Sequence, residues 1–138
     1  MTIVVGYSPS GQGRAALHAA LRHAVRVGED LVVASHLYND PETGPAVASE
    51  QTVLADCRAT GLDLPEITVR SCDTRDVGEF LLDLSAEIEA TLVVIGLHRK
   101  SPIGKLNLGA SARRVVLGAS CPVLAVKDDP TAAADIRE

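Results

Sequence analysis

Between Gly96 and Ser111 the chain gathers glycines and cations in one stretch: Gly96, His98, Arg99, Lys100, Gly104, Lys105 and Gly109, closed by Ala110 and Ser111. Glycine lets backbone N–H groups approach an anion with no Cβ in the way. A helix that opens at the end of such a stretch adds the partial positive charge of its first turn. Arg99, Lys100 and Lys105 bring three cations to the same loop, and His98 adds a further donor, so a phosphate chain is the natural occupant. The plainer alternative is an exposed crossover whose glycines satisfy turn geometry and whose histidine is solvated. A dozen residues without secondary structure is long for a connection in a compact domain, which favours a functional loop.

A second Gly/Ser-rich turn, Gly6-Tyr7-Ser8-Pro9-Ser10-Gly11-Gln12-Gly13, follows the first apolar run. Ser8 or Ser10 suits the cap of the next helix, accepting from its unpaired N–H groups. The same turn would wall a pocket opposite Gly96. It is not a Walker A loop, because the Lys-Ser/Thr pair is missing, nor the Ser-Gly-Gly-x-Asp-Ser loop of adenylating enzymes, because the Asp is missing. His18 and His23 are five apart and share no helix face as a metal pair, and His36 falls at a strand end. No Ser/His/Asp set or carboxylate cluster lies where strand ends would gather it, so no metal-binding residues are assigned.

These loops need a frame that brings them together. Ile3-Val4-Val5, Leu31 to Ala34, Leu92 to Ile95 and Val123 to Val126 are continuous apolar runs, the mark of strands buried on both faces of a parallel sheet. Ile67 to Ser71 alternates instead and reads as an edge strand. Helical stripes lie between the runs: Leu17, Leu21, Ala24 and Val25; Val77, Phe80, Leu81, Leu84 and Ile88; and Val115, Val116 and Ala119 in a helix over Ser111 to Gly118. A weaker stripe spans Val47 to Thr60. Strand and helix therefore alternate through an α/β domain with an open, twisted, five-stranded parallel sheet of order 3-2-1-4-5 and helices on both faces. In that order the sheet reverses between strands 1 and 4, and the loops after Val5 and Ile95 meet at the switch point where ligands bind.

Composition agrees with one such domain. The 138 residues are 46% hydrophobic but only 2% aromatic, so the core is Ala, Val, Leu and Ile. A net charge of −5 works against binding nucleic acid, which requires neutralised phosphates. No apolar run approaches the roughly 20 residues of a membrane span, and the start of the chain carries no signal pattern, so a cytoplasmic protein is expected. Three widely spaced cysteines, Cys57, Cys72 and Cys121, argue for reduced and mostly buried thiols. Asn39 to Pro45 reads as a surface loop, residues 1–127 as the domain, and residues 128–138 as a loose polar tail.

The order of elements, the Gly96–Ser111 loop and the closing Cys121-Pro122-Val123-Leu124-Ala125-Val126 resemble the universal stress protein family over Ile3 to Lys127. Nucleotide-binding members carry Gly, two residues, Gly, nine residues, Gly and then Ser or Thr. Gly96 and Gly109 match, Arg99 stands at the second Gly, Ala110 stands at the Ser or Thr with Ser111 next, and Tyr7 is read at the family's Asp after strand 1. Arg99 either fills the backbone cradle or supplies its guanidinium to phosphate. The resemblance implies an adenine-nucleotide-binding regulatory module of the stress response. It would hold ATP, with Mg²⁺ carried by the nucleotide's own phosphates and water, and show at most weak ATP hydrolysis. The implied contacts run through Gly6, Tyr7, Ser8, Leu37 against the adenine ring, and the Gly96–Ser111 residues named above. Leu37 packing into the core is the equal alternative. The family also implies a homodimer through Pro122 to Val126, and a dimerising interaction protein that has lost its nucleotide is the second reading.

Overall fold

The computed structural model describes residues 1–97 and 110–127. Its elements are β1 (Thr2–Tyr7), α1 (Gly11–Val27), β2 (Asp30–His36), β3 (Tyr38–Asp40), β4 (Gly44–Ala46), α2 (Glu50–Arg58), β5 (Ile67–Cys72), α3 (Val77–Glu87), β6 (Leu92–Leu97), α4 (Ala110–Gly118) and β7 (Val123–Lys127). Five strands form one parallel sheet in the order β5-β2-β1-β6-β7, which is the predicted 3-2-1-4-5 with the two short strands left out of the count. Val4 sits at its centre, paired with Val32 on one side and Val93 on the other.

Side-chain alternation along the central strands divides the core in two. Ile3, Val5, Leu31, Val33 and Val94 face α1 and α2, where Leu17, Leu21, Val53 and Cys57 close over them. Val4, Val32, Val93 and Ile95 face the other way, under Leu81, Leu84 and Val115 of α3 and α4. A crossover that moves outward from β1 places its helix on one face. The return to β6 and on to β7 reverses direction and puts α3 and α4 on the other.

Several expectations are corrected. Val25 and Val116 are 40% and 44% exposed, because each lies a residue past the buried arc of its helix; Ala112 and Val115 carry the packing of α4. β7 is half-exposed along its length rather than buried on both faces, since β6 is its only neighbour in the sheet among the described residues. The stretch from Asn39 to Pro45 is no plain loop. It belongs to an antiparallel ribbon of β3 and β4, turned by Asp40 Oδ1 accepting from the N–H groups of Glu42 at 2.8 Å and Thr43 at 3.1 Å, with Gly44 at φ 80°. α2 is shorter than predicted because Ser49 caps it, its Oγ accepting from Thr52 N–H at 3.2 Å. The cysteines are free, but only Cys57 is buried.

Tyr7 ends β1 inside the core, fully buried, and its hydroxyl donates to Asp56 Oδ2 of α2. Arg14 of α1 meets the same carboxylate oxygen at 3.3 Å. One phenol thus ties the central strand to α2, and burial together with the neighbouring Asp56 carboxylate raises its pKa far above the ordinary phenol value. Tyr7→Phe is expected to lower unfolding free energy by about 1–2 kcal/mol at neutral pH, read by urea denaturation. Because the folded state holds the phenol proton more tightly than the unfolded chain, this contribution is complete below about pH 10 and is lost as pH rises beyond it. The variant should show a shallower alkaline loss of stability than the parent protein.

Candidate functional site

β1 and β6 end side by side, α1 and α4 lie on opposite faces of the sheet, and a cleft of about 240 Å³ opens at that divide. Gly6 and Ser8 reach it from the end of β1, Gln12 and Gly13 from the first turn of α1, and His36 from the end of β2. Val77 and Leu81 of α3 with Ile95 and Leu97 of β6 supply apolar surface, Gly96 lies among them, and Ser111 and Ala112 enter from the first turn of α4.

The first turn of α1 is built for close approach. Ser10 caps it, its Oγ accepting from Gly13 N–H at 3.2 Å while lying 2.8 Å from Ser8 Oγ. A Cβ on Gly13 would stand 2.0 Å from the Ser8 carbonyl oxygen, and one on Gly96 would stand 2.3 Å from the carbonyl oxygen of Gln12. These two glycines therefore let the helix start press against the ends of β1 and β6. A Gly96 expected to open its amide to an anion is first of all a packing requirement.

The described lining of the cleft holds no lysine or arginine, so the helix starts are its source of positive partial charge. α1 and α4 both present N-terminal turns that carry no acidic residue, whereas α2 and α3 have Glu50 and Glu79 in theirs. No carboxylate lines the cleft among the described residues, and none of those residues forms a metal-ligating group of three or more His, Cys, Asp or Glu.

His36 is the one titratable group in the described lining. Burial lowers its pKa below the ordinary imidazole value, opposed by a bond to the backbone of Leu37. Its Nδ1–H donates to the Leu37 carbonyl at 3.0 Å, since a carbonyl can only accept, so the neutral ring keeps Nε2 as an acceptor.

Of the residues expected at the site, the cleft brings together Gly6, Ser8, Gly96 and Ser111. Tyr7 is not brought there: its ring packs on the α1/α2 side with its hydroxyl on Asp56, and the strand-end side chain that lines the cleft is Ser8. Strand alternation explains this, because Gly6 and Tyr7 must face opposite ways. Ala110 begins α4 on the exposed surface outside the described lining. Leu37 borders a neighbouring cavity with Tyr38, Asn39, Pro45, Arg75 and Val77. His98, Arg99, Lys100, Lys105 and Gly109 lie outside the described residues. Gln12 and Gly13 belong to the turn expected to wall the pocket opposite Gly96, and they line the cleft; sequence reasoning missed His36 and the apolar contribution of Val77 and Leu81, which carry no local signal.

Comparison with known proteins agrees with the fold. A family model described as the universal stress protein family matches residues 1–127. A universal stress protein of Mycolicibacterium smegmatis is 34% identical over 128 residues, covering 91% of this chain and 96% of its own. A solved universal stress protein from Archaeoglobus fulgidus superposes with a TM-score of 0.69 at 25% identity, over 92% of this chain and 98% of its own. A universal stress protein solved in complex with cAMP gives the same TM-score of 0.69 at 24% identity, over 94% of this chain and 98% of its own.

Two measurements check the site geometry. Gly96→Ala should lower stability by about 1–3 kcal/mol in denaturant titration, because its methyl group has to displace backbone rather than a flexible side chain. His36 should titrate below about 6.5 by NMR. The folded state then binds fewer protons than the unfolded chain below that pH, so this group makes stability fall as pH drops. A midpoint for His36 above 6.5 would contradict its buried, neutral assignment.

Proposed function

This chain belongs to the universal stress protein family, and we propose that it is a cytoplasmic adenine-nucleotide-binding regulatory module of the stress response, with ATP as its ligand. The observation that carries this reading is the cleft itself. It joins an apolar floor of Val77, Leu81, Ile95 and Leu97 to the first turns of two helices that carry no acid of their own. A flat base suits the first, and phosphates suit the second.

Structural neighbours lend support. Besides the cAMP complex, they include a protein of Archaeoglobus fulgidus in complex with dAMP and one of Arabidopsis thaliana with AMP bound. All three ligands carry adenine on a phosphorylated sugar. On this reading Ser8, Ser111 and Gln12 offer polar groups to sugar and phosphate, and His36 Nε2 offers an acceptor to a hydroxyl or an amine. Gly96, Gly109, Ala110 and the cations Arg99, Lys100 and Lys105 complete the phosphate side, with His98 as a further donor. Leu37 contacts the ring. Mg²⁺ would ride on the phosphates and water. Binding rather than turnover is proposed, with hydrolysis weak at most, because the described lining offers no carboxylate to act as a base or to hold a metal.

A two-fold dimer through Pro122 to Val126 is part of the same reading. Leu124 at 41% exposure leaves apolar surface on β7, which pairs on one side only among the described residues. That surface also favours the alternative of a dimerising interaction protein without a nucleotide.

Titration with a fluorescent ATP analogue should give saturable binding tighter than millimolar. Ser111→Asp, which sets a negative charge at the first turn of α4, should weaken it by about tenfold or more. Binding weaker than millimolar, or indifferent to that charge, contradicts the reading. Sedimentation at micromolar concentration should show a dimer, and Leu124→Asp should return it to monomer.

A further inference from the structure

At the edge of the sheet away from β7, β5 pairs with β2 alone among the described residues. Leu31 N–H donates to the Glu66 carbonyl at 3.0 Å, so by strand alternation Thr68, Arg70 and Cys72 also turn their backbone groups toward β2. Ile67, Val69 and Ser71 turn theirs to the open side, where no strand follows among the described residues. A row of outward N–H and C=O groups is a template for one more strand.

Beside that edge, against α3, lies a groove of about 260 Å³ whose lining shares no residue with the cleft. Arg70 and Cys72 border it from β5. Phe80 and Leu84 of α3 give it apolar surface, Leu84 buried and Phe80, the chain's only phenylalanine, half-buried. The same lining holds Asp76, Glu79, Asp83 and Glu87, whose spacing at three or four residues sets them along one side of α3 and its cap.

Four carboxylates against one guanidinium make this lining acidic. Arg70 meets Glu87 at 2.9 Å, and Arg114 of α4 reaches Asp76 and Glu79 from outside the lining, but Asp83 has no ion pair among the described residues. The groove therefore stays negative after both arginines are counted. Its spacing also suits a strand. Same-side residues of a strand are about 6.6 Å apart, and helix positions four apart are about 6 Å apart along the axis, so cations at alternate positions of an added strand meet the α3 carboxylates in step. The aliphatic stem of a lysine or arginine then covers Phe80 and Leu84 while its charged head reaches the acids.

We propose that the β5 edge and this groove dock an extended segment of a partner protein, with lysine or arginine at alternate positions, as a sixth strand of the sheet. Main-chain hydrogen bonds to Ile67, Val69 and Ser71 supply affinity, and the acidic groove selects the basic sequence. A second copy of this chain is the wrong occupant, because a two-fold antiparallel pair of β5 strands would set two acidic grooves side by side on one face of the sheet. The inference is independent of the nucleotide reading.

Fluorescence anisotropy of labelled, capped octapeptides tests this on the full chain at low ionic strength. A peptide alternating lysine and valine should bind saturably and tighter than millimolar, and about tenfold or more tighter than one alternating glutamate and valine. Asp83→Lys, which reverses the unpaired carboxylate, and Ser71→Pro, which removes one outward N–H and leaves the ladder to β2 intact, should each weaken it by about fivefold or more with melting unchanged. In amide hydrogen exchange of the parent chain the peptide should slow Ile67, Val69 and Ser71, a readout that stands even where Ser71→Pro fails to fold. Three results overturn the inference: equal binding of a backbone-methylated peptide of the same charge, an affinity that survives both substitutions, or protection of these amides by raised protein concentration alone. The last assigns the edge to a second copy.

Discussion

The contact between the first turn of α1 and the ends of β1 and β6 is the constraint on which the site depends. It is a backbone-to-backbone contact, with no room for a methyl group at Gly13 or Gly96. Pressed this close, the helix start brings its unpaired N–H groups to the level of the strand ends, where the sheet divides. Ser10, by capping the turn, fixes which N–H groups remain available for a ligand. The cleft is thus a product of where the helix begins, and that beginning is set by small residues.

Around this contact the two halves of the core have separate tasks. On one side Tyr7 and Arg14 converge on Asp56, so α2 is anchored to the central strand and α1 cannot drift along the sheet. On the other side Leu81 and Leu84 pack on Val4, Val32 and Val93. This fixes the height at which Val77 and Leu81 meet the cleft and gives it an apolar floor. Arg114 of α4 reaches Asp76 at 2.8 Å and Glu79 at 3.8 Å at the start of α3, joining the two helices whose first turns border the cleft. These exposed pairs add little stability, but they place acid on the outer surface and away from the lining.

Much of this was legible in the residues. Continuous apolar runs fixed the parallel sheet, and the right-handed crossover rule fixed the order and the switch point. Gly6, Ser8, Gly96 and Ser111 fell where that point requires them. Tyr7 matches the family's Asp after strand 1 by position, but the alternation of sides along β1 sends its ring into the core and leaves Ser8 at the cleft. His36 carries no local signature; it matters only because β2 lies next to β1 and ends at the same level, a long-range fact. The β3–β4 ribbon escaped because its strands are three residues each and its turn depends on Asp40 bonding two N–H groups, in a stretch whose prolines and glycine read equally well as loop. β7 looked like a buried strand because an apolar run shows hydrophobicity but not how many neighbours will cover it.

The central claim is that the cleft between the ends of β1 and β6 holds an adenine nucleotide. Native mass spectrometry of the purified chain, after incubation with ATP and exchange into volatile buffer, tests it most directly. The account predicts a population heavier than the bare chain by one adenine nucleotide per protomer, an excess that is lost on denaturation and largely absent for Ser111→Asp. A spectrum holding only the bare chain at millimolar ATP, or an adduct equally abundant in that variant, would contradict it.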